Sequence, residues 1–399
     1  GRQCGLLLAH VQRRALMKIA YLAWDLCDAA TIRRVEMLQA GGAELAVAGF
    51  RRRERAPAHL AAVDLGRTFD GRLAHRAALV ALRCLHPGAV RKVVQGADVI
   101  LARNLEMLAI AAVARRAYAR DARLVYECLD IHRLMCTSAA LRAVEAALLR
   151  QCSALMVSAP AFITEYFEQR QRNLPPTLLV ENKVLTASPR PDAPHRQPGP
   201  PWRIGWFGNV RCRKSVALLK EIVRRANGAV EVVIRGRPSA HTLADLDALI
   251  ADTPGIRYAG PYTQADLAAI YGEVHFAWSL DFTDEGMNSD WLLPNRIYEG
   301  SFYHTPSIAE RRTAIGAWLA DKGAGLLVDD PVDDIVRALT GLTADDYRFL
   351  QGRTCAIDTR ALAFDPQGCR DLVALLSRLP SPRPAPIASA THPGTPRRG

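Results

Sequence analysis

Three stretches of the 399-residue chain carry residues whose types and spacing suit chemistry. In the first, Gly205-Trp206-Phe207-Gly208-Asn209 precedes Arg211, Arg213 and Lys214. An apolar strand pattern runs into a glycine-containing turn, and a helix is predicted from about Ser215. Glycines let backbone N–H groups approach a phosphate, and a helix N-terminus favours negative charge. Gly208 and Asn209 would line such a turn, and Arg213 and Lys214 can neutralise a diphosphate. A tight strand–helix turn with exposed basic side chains fits the same residues. The second stretch is Asn288-Ser-Asp290-Trp291-Leu-Leu-Pro294-Asn295-Arg296-Ile297-Tyr298-Glu299-Gly300. Pro294 suits a helix first turn, and Arg296 and Glu299, three apart, share one face. A carboxylate there can hold two vicinal hydroxyls, and an arginine can pair with phosphate, with Asn295 beside it. An ordinary surface ion pair is the alternative.

The third stretch, Glu127-Cys-Leu-Asp130-Ile-His132-Arg133, lies at the carboxyl end of a predicted strand. Asp130 and His132 can each act as a general base, the catalytic role expected here. A capping Asp and a packed His fit equally. Asp25, Asp28, Arg33 and Arg103-Asn104 follow other predicted strands and can bind an acceptor sugar; Asp28 also suits a helix cap. The phosphate-loop pattern GxxxxGK[ST] is absent, and no GxGxxG follows the first strand.

Alternating elements must position these residues. Strands are predicted over 18–24, 44–50, 98–102, 123–129, 154–158 and 177–180, with helices between them. Residues 186–201 contain six prolines in sixteen positions, which neither a helix nor a central strand accepts. Beyond this linker the alternation restarts, with strands over 203–207, 230–235, 256–258, 274–279, 305–309 and 325–328. Short apolar strands between amphipathic helices predict α/β architecture: two doubly wound parallel sheets facing a cleft. The expected organisation is an extension over 1–16, a first domain over 17–185, a linker over 186–201, a second domain over 202–379 and a disordered tail over 380–399.

Hydrophobic residues make up 49% and charged residues 23%, as in a folded globular protein. No apolar run approaches the ~20 residues that span a bilayer. The first residues are too short for a signal-peptide core. Nine scattered cysteines without a CxxC pair argue against a zinc site and suit a reduced, cytoplasmic compartment. No other metal or cofactor is expected. Half of the formal charge of +12 comes from three arginines, with no acid, in each of 1–16 and 380–399. Arg51-Arg52-Arg53 with Arg55, and the 72–91 region, add basic stretches that suit anionic substrates or the anionic inner face of a membrane, as well as a merely solvated basic surface. No helix-turn-helix or RNA-recognition signature accompanies the charge, so nucleic acid is not an expected partner.

The second half resembles the donor domain of GT-B glycosyltransferases, and is most similar to the large group called family four. Residues 205–214 resemble that group's opening strand, glycine turn and basic residues. Pro294-Asn-Arg-Ile-Tyr-Glu-Gly300 resembles its "Pro-x-Lys-x-x-Glu" helix. Residues 301–309 resemble the turn and strand that follow, and Ala324-Gly-Leu-Leu-Val-Asp-Asp330 its "Gly-Leu-Leu-Val" strand. The resemblance covers roughly residues 202–355 in order and implies two Rossmann-like domains. It implies a nucleotide-diphosphate sugar as donor, with Glu299 on the ribose and Arg213 or Lys214 on the diphosphate. Asp130 or His132 would face the reacting centre, without a metal. It further implies a glycan or lipid-linked acceptor in bacterial surface-polysaccharide synthesis.

The chain departs from that pattern. Trp291 stands where the group often has a first Glu, with Asp290 and Glu285 as the nearby carboxylates; Arg296 replaces Lys and His304 replaces a common Gly. Residues 25–30 lack the glycine-rich acceptor loop. Retention at the anomeric carbon is implied by the resemblance, whereas a base at Asp130 would suit inversion. A sugar-nucleotide epimerase of similar architecture and a non-catalytic basic scaffold are the alternatives.

Overall fold

The computed structural model describes residues 16–69 and 71–380. The expectations for residues 1–15 and 381–399 lie outside the described residues. The first half builds strands β1 (Lys18–Ala23), β2 (Glu44–Arg51), β3 (Val63–Arg67), β4 (Val99–Arg103), β5 (Arg123–Cys128), β6 (Ala154–Val157) and β7 (Thr177–Leu179). They form one parallel sheet in the order β3-β2-β1-β4-β5-β6-β7. After the short β8 (Val184–Leu185), the second half builds β9 (Trp202–Val210), β10 (Val230–Pro238), β11 (Ile256–Tyr258), β12 (Phe276–Trp278), β13 (Ser307–Glu310) and β14 (Leu326–Val328). Their order is β11-β10-β9-β12-β13-β14, again parallel. Both sheets reverse direction of growth at their first strand, between β1 and β4 and between β9 and β12. Loops at such a switch point splay apart and leave a crevice beyond the strand ends.

The central strands are buried on both faces, with Ile100, Leu101, Leu124, Val125, Leu155 and Met156 all inaccessible to solvent. That burial produces the continuous apolar runs seen in the sequence. One core cluster joins the halves, packing Tyr126 and Met135 of the first with Leu293, Ile297, Tyr298 and Phe302 of the second. The proline-rich segment lies against the second half. Arg190 donates to the carbonyls of Ser301, Phe302, Thr354, Cys355 and Ile357, and Arg196 to those of Tyr271, Tyr303 and His304. These guanidiniums satisfy carbonyls at helix ends that lack an intrahelical partner.

Helix Pro366–Ser377 falls within the span expected for the second domain, yet it packs on the first. Its Cys369, Leu372, Val373 and Leu376 join the core formed by Ile19, Tyr21, Val35 and Leu38. Just before it, β15 (Ala363–Phe364) pairs with β8. The chain thus crosses between the halves twice.

Candidate active site

At the end of β9, Gly208 (φ 115°) sits in register with Gly236 (φ 131°) of β10. A Cβ at Gly236 would lie 1.8 Å from the Gly208 carbonyl oxygen, so that position accepts glycine alone. A Cβ at Gly208 would meet nothing within 4 Å, which leaves open space beside the turn. Asn209 is exposed there. Arg211 follows, and helix Arg213–Arg225 begins two residues later.

Helix Asn295–Phe302 starts after Pro294, which stands at the N-cap and not in the first turn where the sequence suggests it. Its Ile297, Tyr298, Gly300 and Ser301 are buried, and Gly300 lets it approach β12, where a Cβ would lie 3.3 Å from Ala277. Its other face carries Asn295, Arg296 and Glu299 into the crevice. Arg296 Nη2 lies 3.6 Å from Asp281 Oδ2, and Arg211 Nη2 lies 3.5 Å from the same oxygen. Asp281 follows β12 and accepts from the Thr283 N–H and the Ser289 hydroxyl. Burial alone would raise its pKa, but Arg296 and Arg211 prevail and lower it.

Glu299 accepts from the Tyr271 hydroxyl at 3.2 Å. Burial raises its pKa, opposed by Arg33, the Tyr271 hydrogen bond and Arg296. Arg33 reaches over from helix Ala29–Ala40 of the first half. Its Nη1 donates to Asn295 Oδ1 at 3.0 Å and to the Asn182 carbonyl at 3.3 Å, and its Nη2 lies 4.0 Å from Glu299 Oε1.

The structure places the two basic residues expected on a diphosphate elsewhere than that convergence. Arg213 donates to both oxygens of Asp245, at 2.6 and 2.8 Å, and is about half exposed. Lys214 pairs with Glu285 at 2.8 Å and stands over the Phe282 ring. Arg211 instead shares the crevice with Arg296. Spacing alone cannot distinguish these positions, because the first helical turn rotates each successive side chain by about 100°. The carboxylates near the vacant first-Glu position are also engaged: Asp290 pairs with Arg312, and Glu285 with Lys214 and Arg312.

Asp130 follows β5 at the crevice and accepts from Asn288 Nδ2 at 3.3 Å, while Asn288 Oδ1 accepts from the Ile131 N–H at 2.9 Å. Asp130 keeps solvent access, but the crevice walls surround it, and this crowding raises its pKa against the pull of Arg211 and Asn288. His132 takes the capping role: its Nδ1 accepts from the Leu134 N–H at 3.2 Å and starts helix Arg133–Thr137.

Beneath the rim lies a buried charge cluster. Glu127 accepts from Arg34 Nε at 2.7 Å, Arg103 Nε at 2.9 Å and the Tyr21 hydroxyl at 2.9 Å. Burial would raise the Glu127 pKa, but Arg103 and Arg34 hold it down at about 2. Arg103 also donates to Asp28, Thr31 and the Ala30 carbonyl, and Asp25 accepts from the N–H groups of Cys27 and Arg52. Asp25, Asp28 and Arg103 therefore build the floor, and of these rim residues Arg33 reaches across the crevice. Among the described residues no group of three or more His, Cys, Asp or Glu is arranged to hold a metal ion, and the eight described cysteines are free.

Two parallel-sheet halves with their switch points facing one crevice, and an Arg/Glu-bearing helix at its edge, are the architecture of the GT-B fold. The chain belongs to the family of the succinoglycan biosynthesis protein ExoL of Rhizobium meliloti, to which it is 42% identical over 398 residues, covering 94% of this chain and 97% of ExoL. No family model matches. Similar solved structures include sucrose-phosphate synthase from Thermosynechococcus elongatus (TM-score 0.67, 14% identity, 91% of this chain and 98% of that one). Anabaena HepE in complex with UDP and glucose gives 0.64 at 15% identity, covering 90% and 98%. The lipopolysaccharide outer core galactosyltransferase WaaB gives 0.63 at 12% identity, covering 91% and 100%. The chain thus shares a family with a protein of succinoglycan biosynthesis.

Proposed function

We propose that the chain transfers a sugar from a nucleoside-diphosphate sugar to a growing, lipid-linked glycan of a bacterial exopolysaccharide. The convergence of Arg211 and Arg296 beside Glu299 carries this reading. In it, Glu299 accepts hydrogen bonds from the ribose hydroxyls and the two guanidiniums take the diphosphate, displacing Asp281 as their partner. Charge grows on the leaving diphosphate as the glycosidic bond breaks, and fixed cations stabilise that charge. Gly208 leaves the room a phosphate needs. Asp130, on the facing wall, is the base for the acceptor hydroxyl. The first nucleotide to try is UDP, since HepE is similar in fold and was solved with UDP and UDP-glucose.

The same reading brings the first half to an anionic membrane, where a lipid-linked acceptor resides. Helix Leu73–Leu85 has no buried residue, although it is largely apolar. Ala74, Ala77, Ala78, Ala81, Leu82 and Leu85 are all exposed, at helical spacing along one stripe. Leu85 is 77% exposed. Arg76 and Arg83 point inward, to Glu106 and to the Leu65 carbonyl. Exposed Arg72 precedes the stripe, and Arg91 and Lys92 follow it. An apolar stripe bordered by cations suits an anionic lipid surface. No helix among the described residues is long and apolar enough to cross a membrane.

Calorimetric titration with UDP, GDP and ADP, alongside Glu299→Ala, tests the donor site. Binding of one nucleotide that the substitution abolishes is the expected result. Absence of binding by the folded wild-type protein overturns the reading.

A further inference from the structure

Arg33 and Arg34 are neighbours on helix Ala29–Ala40 but serve different halves. Arg34 turns inward to Glu127 at 2.7 Å and anchors the helix on its own sheet. Arg33 turns outward and enters the second half, where its side chain is 15% exposed. It meets Asn295 and Glu299, two residues on the face of helix Asn295–Phe302 that the proposed donor site uses. At 4.0 Å from Glu299 Oε1, its Nη2 is near enough to act by charge and far enough to leave that oxygen's lone pairs for a ligand. Its Nη1 is fixed by Asn295 and the Asn182 carbonyl, so the guanidinium is held rather than free to swing.

We infer that Arg33 is a positioning residue of the donor site, carried in by the first half to hold the Glu299 carboxylate charged and aligned for two ribose hydroxyls. The inference rests on the reading that Glu299 holds the ribose. It also means that the nucleotide site is shared: the second half supplies the carboxylate and the first half supplies its counter-charge. The groups facing Glu299 are few. Helix Leu267–Gly272 contributes the Tyr271 hydroxyl, the loop before it Tyr262, its own helix Arg296, and the residue after that helix Tyr303. Of these, Arg296 is also drawn to Asp281. Removal of Arg33 therefore leaves Glu299 buried with Arg296 alone as counter-charge, and burial favours its protonated form. A protonated carboxyl gives up acceptor capacity toward a diol.

The experiment compares wild type, Arg33→Ala, Arg33→Lys and Glu299→Ala by calorimetry with UDP, GDP and ADP at about pH 8 and about pH 5.5. Each variant's affinity is divided by that of the wild type at the same pH, which cancels titration of the nucleotide phosphate. For Arg33→Ala the loss is expected to be greater at the lower pH, by up to about tenfold for each pKa unit that the substitution adds to Glu299. Arg33→Lys restores most of the affinity, because it returns the charge. A loss by the same factor at both pH values assigns Arg33 a merely architectural role and overturns the inference, as does no loss at all. If Glu299→Ala binds like wild type, the ribose reading itself falls, and that outcome is distinct from the other two. Circular dichroism of each variant at both pH values confirms that folded protein is compared.

Discussion

The guanidiniums of Arg211 and Arg296 meet at a single oxygen, Asp281 Oδ2, at 3.5 and 3.6 Å. One follows β9 and the other opens helix Asn295–Phe302, so two separate elements deliver positive charge to the same point. Each guanidinium carries more N–H donors than one oxygen can use, and an anionic ligand can take the remainder. Arg211→Ala and Arg296→Ala are each expected to lower kcat for sugar transfer by about 100-fold, as loss of one fixed transition-state donor does. Arg213→Ala, which loses only an exposed pair with Asp245, is expected to change it by less than about threefold. Initial rates with the nucleotide sugar identified by calorimetry decide between these positions.

Asp130 yields a second expectation, on chemistry rather than binding. Asp130→Asn keeps the size and the contact to Asn288 but removes the base. Transfer is expected to fall by about 100-fold or more while nucleotide affinity stays within about threefold. Crowding raises the carboxyl's pKa from its ordinary value, opposed by Arg211 and Asn288, so wild-type activity falls as pH drops and the base becomes protonated. A pH–rate profile whose acidic limb disappears in Asp130→Asn supports the role. An unchanged limb refutes it.

The Glu127 cluster governs stability. Its carboxyl pKa is held at about 2, below its ordinary value of 4.5. The stabilisation is therefore complete above pH 4.5 and is lost as pH falls from there toward 2. Glu127→Gln strands the buried Arg34 and Arg103 and is expected to cost about 3–5 kcal/mol near neutral pH. Chemical denaturation of both proteins from neutral to acid pH checks this, and the gap between them narrows in the acid window.

Membrane contact is tested at the apolar stripe. Leu82→Glu with Leu85→Glu alters two exposed side chains and leaves the interior intact. Wild-type protein is expected to sediment with vesicles rich in phosphatidylglycerol and to stay in solution with phosphatidylcholine. The double substitution is expected to weaken sedimentation at least about tenfold. Equal sedimentation of both proteins removes the stripe from the contact.

Much of the architecture is legible in the sequence because a parallel strand buried on both faces leaves an unbroken apolar run. β3 is not legible: Val63-Asp64-Leu65-Gly66-Arg67 is an edge strand, half exposed and interrupted by Asp and Gly. β8 and β15, two residues each, exist through their pairing alone. At the site, Arg296 and Glu299 are readable because a helix beginning after Pro294 fixes their common face. The competition between Arg211 and Arg213 is not readable, since it depends on where β9 ends and which way the next turn begins. Nor is the reach of Arg33, whose partners lie 149 and 262 residues away along the chain. His132 illustrates the opposite case. Its type suggests catalysis but does not announce the cap that its backbone position also makes it.

The return of helix Pro366–Ser377 to the first half has a practical corollary for chimeras. Exchanging acceptor preference between relatives suggests grafting one contiguous N-terminal segment onto a foreign C-terminal one. Here such a splice near residue 190 would set a foreign helix against Ile19, Tyr21, Val35 and Leu38, whose native cover is Cys369, Leu372, Val373 and Leu376. The module that can be exchanged intact is discontinuous. It joins the first half to the last dozen or so described residues, and any transplant of specificity has to carry both pieces together.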